Sequence, residues 1–156
     1  MKKFLGILIL SLLFFSNINA EERDKKLDKL FNQLKSTKDP ASAQIIENEI
    51  WDIWSIHPTD DRRGFRLTEL LTQGTRLMNM RELNKAYEVF TKIITVESDW
   101  AEAWNKRATV LYLLGRYQQS QRDIDVVLNL EKRHFGALSG QGLVQTELKN
   151  YEKAIN

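Results

Sequence analysis

The sequence predicts an all-α fold in which short helical hairpins stack one after another into a solenoid. In residues 104–130, apolar and small residues recur at offsets of three and four, the spacing of one helical face. Gly115, followed closely by Tyr117, divides this segment into two helices. The same order of large and small residues returns 34 positions earlier and later. Such a period indicates a repeat protein built from helical hairpins.

The 34-residue period carries most of this prediction. Large residues stay large and small residues stay small at the corresponding positions Leu70/Trp104/Leu138, Gly74/Ala108/Gly142, Ala86/Ser120/Ala154 and Phe90/Ile124. Gln145, which takes the place of Leu111 one period later, is the one clear departure. A register kept over two shifts predicts two whole repeats, 67–100 and 101–134, and a partial repeat at 135–156.

With this period and this order of residues, positions 67–156 resemble the tetratricopeptide repeat family. The resemblance implies an α-α superhelix, a right-handed solenoid whose first helices line a concave groove. The chain departs from the family pattern at Arg107, where Leu is usual, at Leu111, where Tyr is usual, and at Lys132, where a closing Pro is usual. A charged residue at a core position must reach a carboxylate or the surface, so Arg107 is also a candidate for specificity.

Residues 1–20 have the pattern of a secretory signal peptide. Lys2 and Lys3 precede a twelve-residue, largely apolar run that ends at Phe15, and Ala20 stands before an abrupt change to charged residues. We expect cleavage after Ala20 and a periplasmic or secreted protein without membrane insertion. The alternative is an uncleaved anchor, but the run is short of the ~20 residues that a spanning helix needs.

Two further helices are predicted before the repeats. Leu27, Leu30, Phe31 and Leu34 give residues 21–35 one apolar face, and Asp39 with Pro40 starts a second helix that ends near Ser55. We interpret residues 21–57 as a hairpin that caps the first repeat. Residues 58–66 form a connector followed by a helix start, in which Asp60 and Asp61 precede the first turn.

Composition excludes several classes of function. Two of the 23 basic residues are Lys2 and Lys3, so 21 remain against 21 acidic residues, and nothing favours nucleic acid as a partner. The absence of cysteine excludes disulfides and thiolate chemistry. His57 and His134 stand in no catalytic motif and are expected to be surface or packing residues. No metal or cofactor is expected, and a hydrolase with an unrecognised site is a remote alternative.

The resemblance implies where a partner binds. Carried over by register, the predicted groove residues are Leu71, Thr75, Met78, Asn105, Thr109, Tyr112 and Ser139. Glu102, Leu143 and Thr146 lie on the same face. Hydroxyls and amides beside exposed apolar side chains suit a bound peptide or helix. Trp100, at a repeat junction, is a candidate for an exposed aromatic residue.

These features predict a non-catalytic adaptor of the bacterial cell envelope that binds a protein or peptide in its groove. The alternative is an assembly subunit that stacks, or associates with itself, through the partial third repeat. Leu138, Leu148, Tyr151 and Ile155 would form the open face in that case.

Overall fold

The structure is a computed structural model, and it describes residues 21–149. The predicted signal peptide at 1–20, and Tyr151, Ala154 and Ile155, lie outside the described residues. The described part is helical without strands, with α1 (21–36), α2 (Pro40–Ser55), α3 (Arg62–Asn79), α4 (Leu83–Val96), α5 (Ala101–Leu113), α6 (Tyr117–Leu130) and α7 (Phe135–Glu147). None of these helices combines the length and apolarity needed to cross a membrane.

Helix boundaries repeat with the period read from the sequence. Helices α4 and α6 begin 34 residues apart and end 34 residues apart, and so do α5 and α7. The turns after α3, α5 and α7 place Arg81, Gly115 and Lys149 in the left-handed region, with φ of 62°, 71° and 59°. The prediction of an all-α helical repeat solenoid is therefore confirmed.

The turns themselves use one hydrogen-bonding scheme. The Arg116 N–H donates to the Leu111 carbonyl at 2.8 Å, and one period earlier the Glu82 N–H donates to the Leu77 carbonyl at 2.9 Å. These bonds span the left-handed residue and close the helix end as a Schellman motif does. At Gly115 a Cβ would meet no atom within 4 Å, so close packing does not require glycine there. Glycine suits this position because it adopts a positive φ without steric cost.

The repeats bury two clusters of side chains. One centres on Phe90 and Ile93 of α4 with Leu67 and Leu71 of α3, and the other joins α5, α6 and α7. Trp104 packs against both clusters, and its indole N–H donates to the Ser98 carbonyl at 2.9 Å. The predicted core position of Trp104 thus lies where two repeats meet.

Two glycines at different depths give a paired prediction. A Cβ at Gly74 would lie 2.5 Å from the buried Phe90 ring, whereas a Cβ at Gly140 would lie 3.6 Å from Ile124, an ordinary contact. We expect Gly74→Ala to lower the free energy of unfolding by about 1–3 kcal/mol through overpacking. Gly140→Ala should raise it by about 0.5–1 kcal/mol, since alanine is the better helix former. Urea unfolding of both variants checks this, and equal effects would contradict the packing at Gly74.

Helices α1 and α2 make up the N-terminal part of the described chain. Leu27, Leu30, Ile50 and Trp54 are buried, and the Phe31 and Trp54 ring centroids lie 5.9 Å apart. Asp39 caps α2 by accepting from the Ser42 N–H at 2.9 Å. The role of α1 and α2 as a cap of the repeats stays a prediction.

A side-chain hydrogen bond holds the start of α3. The Asp61 carboxylate accepts from the Gly64 N–H at 2.7 Å, which is the bond expected of a helix-capping residue. Contacts divide the chain between Phe65 and Arg66 into two compact units, and α3 runs across this boundary. The repeats from Arg66 onward form the second unit.

The expectation for Trp100 is wrong. This side chain is only 2% exposed and belongs to the cluster around Phe90. Trp100 immediately precedes α5, and the turn that joins α4 to α5 buries its indole against both repeats instead of leaving it at the surface.

Candidate functional site

A cleft of about 60 Å³ lies between α5 and α7, with α6 beneath it. Its lining residues are Asn105, Ala108, Thr109, Tyr112, Ser120, Ile124, Gly136, Gly140 and Leu143. Three of the predicted groove residues, Asn105, Thr109 and Tyr112, therefore line one concavity. The glycines Gly136 and Gly140 leave α7 without bulk on the side that faces α5, which helps to keep the cleft open.

The other predicted groove residues lie outside this cleft. Leu71 is only 3% exposed and packs into the core with Phe90, so its prediction as an exposed groove residue is corrected. Thr75 and Met78 are half-buried on α3, and Ser139 is exposed on α7. The 34-residue register makes Leu71, Asn105 and Ser139 equivalent, but Leu71 and Asn105 are buried, at 3% and 6% exposure, whereas Ser139 is exposed.

Hydrogen bonds within α5 fix the polar side chains of the cleft. The Thr109 hydroxyl donates to the Asn105 carbonyl at 3.0 Å, and the Asn105 amide donates to the Glu102 carboxylate at 2.9 Å. The Ser120 hydroxyl of α6 donates to the Ala108 carbonyl at 2.8 Å. Asn105 is only 6% exposed, so it contributes to the cleft from its inner wall.

A buried polar network lies behind this inner wall. His134 caps α7 by accepting from the Ala137 N–H at Nδ1, 3.2 Å away, and its Nε2 lies 3.0 Å from a Glu102 oxygen. Because Nδ1 accepts, Nε2 carries the hydrogen and donates it to Glu102. Lys106 lies 3.0 Å from the other Glu102 oxygen. The network joins α5 to the first turn of α7, so Glu102 is a structural residue and does not lie open to a ligand.

The Glu102 carboxylate is stabilised in its charged form. Burial raises its pKa, but the hydrogen bond from His134 and the charge of Lys106 outweigh burial and hold that pKa below 4.5. The folded protein therefore keeps Glu102 ionised at a pH where the unfolded chain has begun to bind a proton. Stability from this group is present above pH 4.5 and is lost as the pH falls through the folded-state pKa.

A glutamine variant tests this pH dependence. Glu102→Gln keeps an oxygen that accepts from His134 but cannot titrate. We expect the wild type to lose stability more steeply than Glu102→Gln as the pH falls below 4.5. Urea unfolding over a pH series measures both slopes, and parallel curves would show that Glu102 has the same pKa in both states.

Arg107 and Asp123 form a second buried pair, on the other side of α5. The Arg107 guanidinium donates to both Asp123 oxygens, at 2.7 and 2.8 Å, and lies 4.8 Å from the Trp104 ring centroid. The side chains are 14% and 7% exposed. Of the two alternatives expected for Arg107, a carboxylate or the surface, the structure shows the carboxylate. The two charges neutralise each other. The ion pair therefore accounts for an arginine at position 107, where the family usually has leucine, and no ligand is needed to explain it.

Neither histidine lies in a catalytic arrangement. His134 is fully buried and occupied as a helix cap, and His57 is buried and accepts from the Thr59 N–H at 3.2 Å. Both are packing residues, one of the two roles expected from the sequence. Residues 21–149 contain no group of three or more metal-ligating side chains close enough to hold a metal ion.

The His134 cap is a structural feature that sequence analysis missed. His134 stands directly before the first residue of α7, which is the position of a capping side chain. The preferred capping residues are Ser, Thr, Asp and Asn, so a histidine there gives a weak signal. Its partner Glu102 lies 32 residues earlier, and the sequence shows no link between them.

The fold and the cleft define a helical repeat protein whose units are two-helix hairpins. No protein-family model matches the chain. The chain is, however, 33% identical over 153 residues to a TPR repeat-containing protein of Rhizobium etli, a match that covers 90% of this chain and 72% of the relative. The chain belongs to the tetratricopeptide repeat family. Proteins of this family generally mediate protein–protein interaction.

Proposed function

We propose that this chain is a non-catalytic adaptor of the bacterial cell envelope that holds a peptide or helix of another protein against α5 and α7. The observation that supports this proposal is the cleft in which Asn105, Thr109 and Tyr112 meet Leu143. An aromatic ring and an exposed leucine beside a hydroxyl and an amide combine apolar contact area with hydrogen bonding. Rigid helices hold these groups in place, so little ordering is needed on binding.

The envelope location rests on the pattern of residues 1–20. A charged start, an apolar run and a small residue at the cleavage point are what export machinery recognises. We expect the protein isolated from a bacterial envelope fraction to begin at Glu21. N-terminal sequencing of that protein should read Glu-Glu-Arg-Asp, and a protein that retains Met1 in the cytoplasm would contradict export.

Photo-crosslinking in cells tests the groove. A photoreactive phenylalanine analogue replaces Thr109 of α5 or Ser139 of α7, both of which are exposed. The matched control replaces Thr95, an exposed threonine of α4 whose hydroxyl also donates to a carbonyl four residues earlier. We expect one discrete adduct with an envelope protein at the two groove positions and none at Thr95.

The pattern of adducts decides between two accounts. Equal crosslinking at Thr95 and Thr109 would indicate nonspecific contact, and crosslinking at Thr95 alone would place the partner on the second helices. Either result would contradict binding at α5 and α7.

Self-association through α7 is the second candidate function. Leu138 of α7 is 48% exposed, which is unusual for a large residue whose equivalents Leu70 and Trp104 are partly buried in the core. A copy that packs on this face would bury Leu138. Light scattering over a concentration series tests it, and Leu138→Glu should abolish any association. A monomer at every concentration would exclude this candidate.

A further inference from the structure

The two histidines of this chain are its only side chains of a type that ordinarily titrates near neutral pH. His57 belongs to the connector before α3, and His134 caps α7. His134 is fully buried and bonds to both helices that flank the cleft, α5 through Glu102 and α7 through Ala137. It is therefore the group through which pH can act on the cleft.

The cap on α7 requires a neutral His134. Its Nδ1 accepts from the Ala137 N–H at 3.2 Å, and its Nε2 donates to the Glu102 carboxylate across 3.0 Å. A protonated histidine carries hydrogens on both nitrogens and can accept at neither. Protonation therefore keeps the bond to Glu102 but sets two N–H groups against each other at Ala137, inside a buried site where an unmade hydrogen bond is costly.

Charged groups face His134 from α5 and from the turn before α7. On α5, Lys106 lies 3.0 Å from the Glu102 carboxylate. In the turn, Arg133 donates to both oxygens of the Glu131 carboxylate, each at 3.0 Å. Each of these two acids thus has a cation of its own, which limits the negative charge left to hold a proton on His134. The cap at Ala137 is the bond that protonation removes.

The first turn of α7 forms part of the cleft. Gly136 lies in this turn and lines the cleft, and Gly140 lines it one turn later. Ala137, which the cap holds, is fully buried in the cluster that includes Ala108 and Ile124, two further lining residues. A first turn that loses its cap therefore moves the α7 wall of the cleft relative to α5.

We infer that His134 is a positioning residue that couples the cleft to pH. Neutral His134 holds α7 in the arrangement that binds a partner, and a proton on His134 releases the first turn and weakens binding. This inference rests on the proposed groove function and adds its regulation. Because the complex keeps the neutral ring while the free protein takes up the proton, affinity falls with falling pH, by at most about tenfold per pH unit for one linked proton.

His134→Asn and His57→Asn are the matched variants. Asparagine is a preferred capping residue whose side-chain oxygen accepts an N–H and does not titrate, so His134→Asn keeps a cap on α7 at every pH. His57 is also buried and accepts from the Thr59 N–H at the same distance, 3.2 Å, but it does not line the cleft. Thermal melting should find both variants folded.

The probe is a histidine-free peptide selected by phage display on the purified full chain at about pH 7.5. Calorimetry measures its affinity from about pH 7.5 to 5.5, where histidine titrates and Glu102, with a pKa below 4.5, stays ionised. We expect the wild type and His57→Asn to lose affinity by about three- to tenfold over this range. His134→Asn should bind equally well throughout.

A second measurement follows the first turn of α7 without a partner. In ¹⁵N NMR spectra we expect the backbone N–H signals of Gly136 and Gly140 to move over the same pH range in the wild type and in His57→Asn, but not in His134→Asn. Signals that stay in place in the wild type would overturn the coupling.

Failure of the pH coupling and failure of the groove give different results. A selected peptide that binds the wild type and His134→Asn with the same pH dependence would overturn the coupling and leave a peptide-binding protein. A chain that selects no peptide would overturn the proposed groove, and with it any regulation of binding, whatever the NMR result.

Discussion

Replacing Trp104 by alanine should lower the free energy of unfolding by about 3–5 kcal/mol, as large-to-small aromatic changes in cores do. Trp104 packs against both core clusters of the repeats, so its loss opens space on two sides at once. The indole N–H bond to the Ser98 carbonyl and the Arg107 guanidinium above the ring are lost as well. Chemical denaturation of the purified variant measures the change.

Trp104→Phe separates packing from hydrogen bonding at this position. Phenylalanine keeps most of the ring contacts but cannot donate to Ser98, so we expect about 1 kcal/mol of destabilisation from that bond. An unchanged unfolding curve for Trp104→Ala would contradict the 34-residue register that places this residue between repeats.

Replacing Asp123 by valine should lower the free energy of unfolding by about 3–5 kcal/mol, because the Arg107 guanidinium would stay buried without its carboxylate. The two charges now satisfy each other through bonds of 2.7 and 2.8 Å. Valine is the residue that stands one period earlier, at Val89, so the helix itself accepts it.

The double variant Arg107→Leu/Asp123→Val shows whether the loss of stability in Asp123→Val comes from the unpaired charge of Arg107. It installs the usual leucine of the family at 107 and removes both charges together. We expect the free energy of unfolding of the double variant to equal that of the wild type or to exceed it by about 1–4 kcal/mol, since apolar pairs often replace buried ion pairs without loss of stability. A double variant as unstable as Asp123→Val alone would mean that the ion pair is not what Asp123 contributes.

Much of the fold could be predicted from the sequence because the signals are local or periodic. The spacing of Leu27, Leu30, Phe31 and Leu34 predicted the helix α1, and Asp39 with Pro40 predicted where α2 starts. The 34-residue register placed the turn at Gly115 and its equivalents, whose left-handed backbone the structure then shows at Arg81 and Lys149. Period and caps depend on residues near in sequence, so they need no knowledge of tertiary contacts.

The details of the site depend on contacts between distant residues. The register makes Leu71 and Ser139 equivalent, but only the packing around Phe90 decides that Leu71 is buried. The bonds that tie His134 to Glu102 and Arg107 to Asp123 join residues 32 and 16 positions apart. Side-chain pairing over such separations leaves no periodic pattern in the sequence. The sequence therefore predicted that Arg107 reaches a carboxylate or the surface, without showing which of the two or which carboxylate.

The central claim is that a partner binds against α5 and α7. The most direct test is hydrogen exchange in the presence of a peptide that has been selected for binding to this protein from a random library. The purified chain is exchanged alone and with saturating peptide, and protection is compared helix by helix. We predict slower exchange in Ala101–Leu113 and Phe135–Glu147, with Leu83–Val96 unchanged. Protection confined to α4 and α6, or to residues 21–36, would contradict a groove formed by the first helices of the repeats.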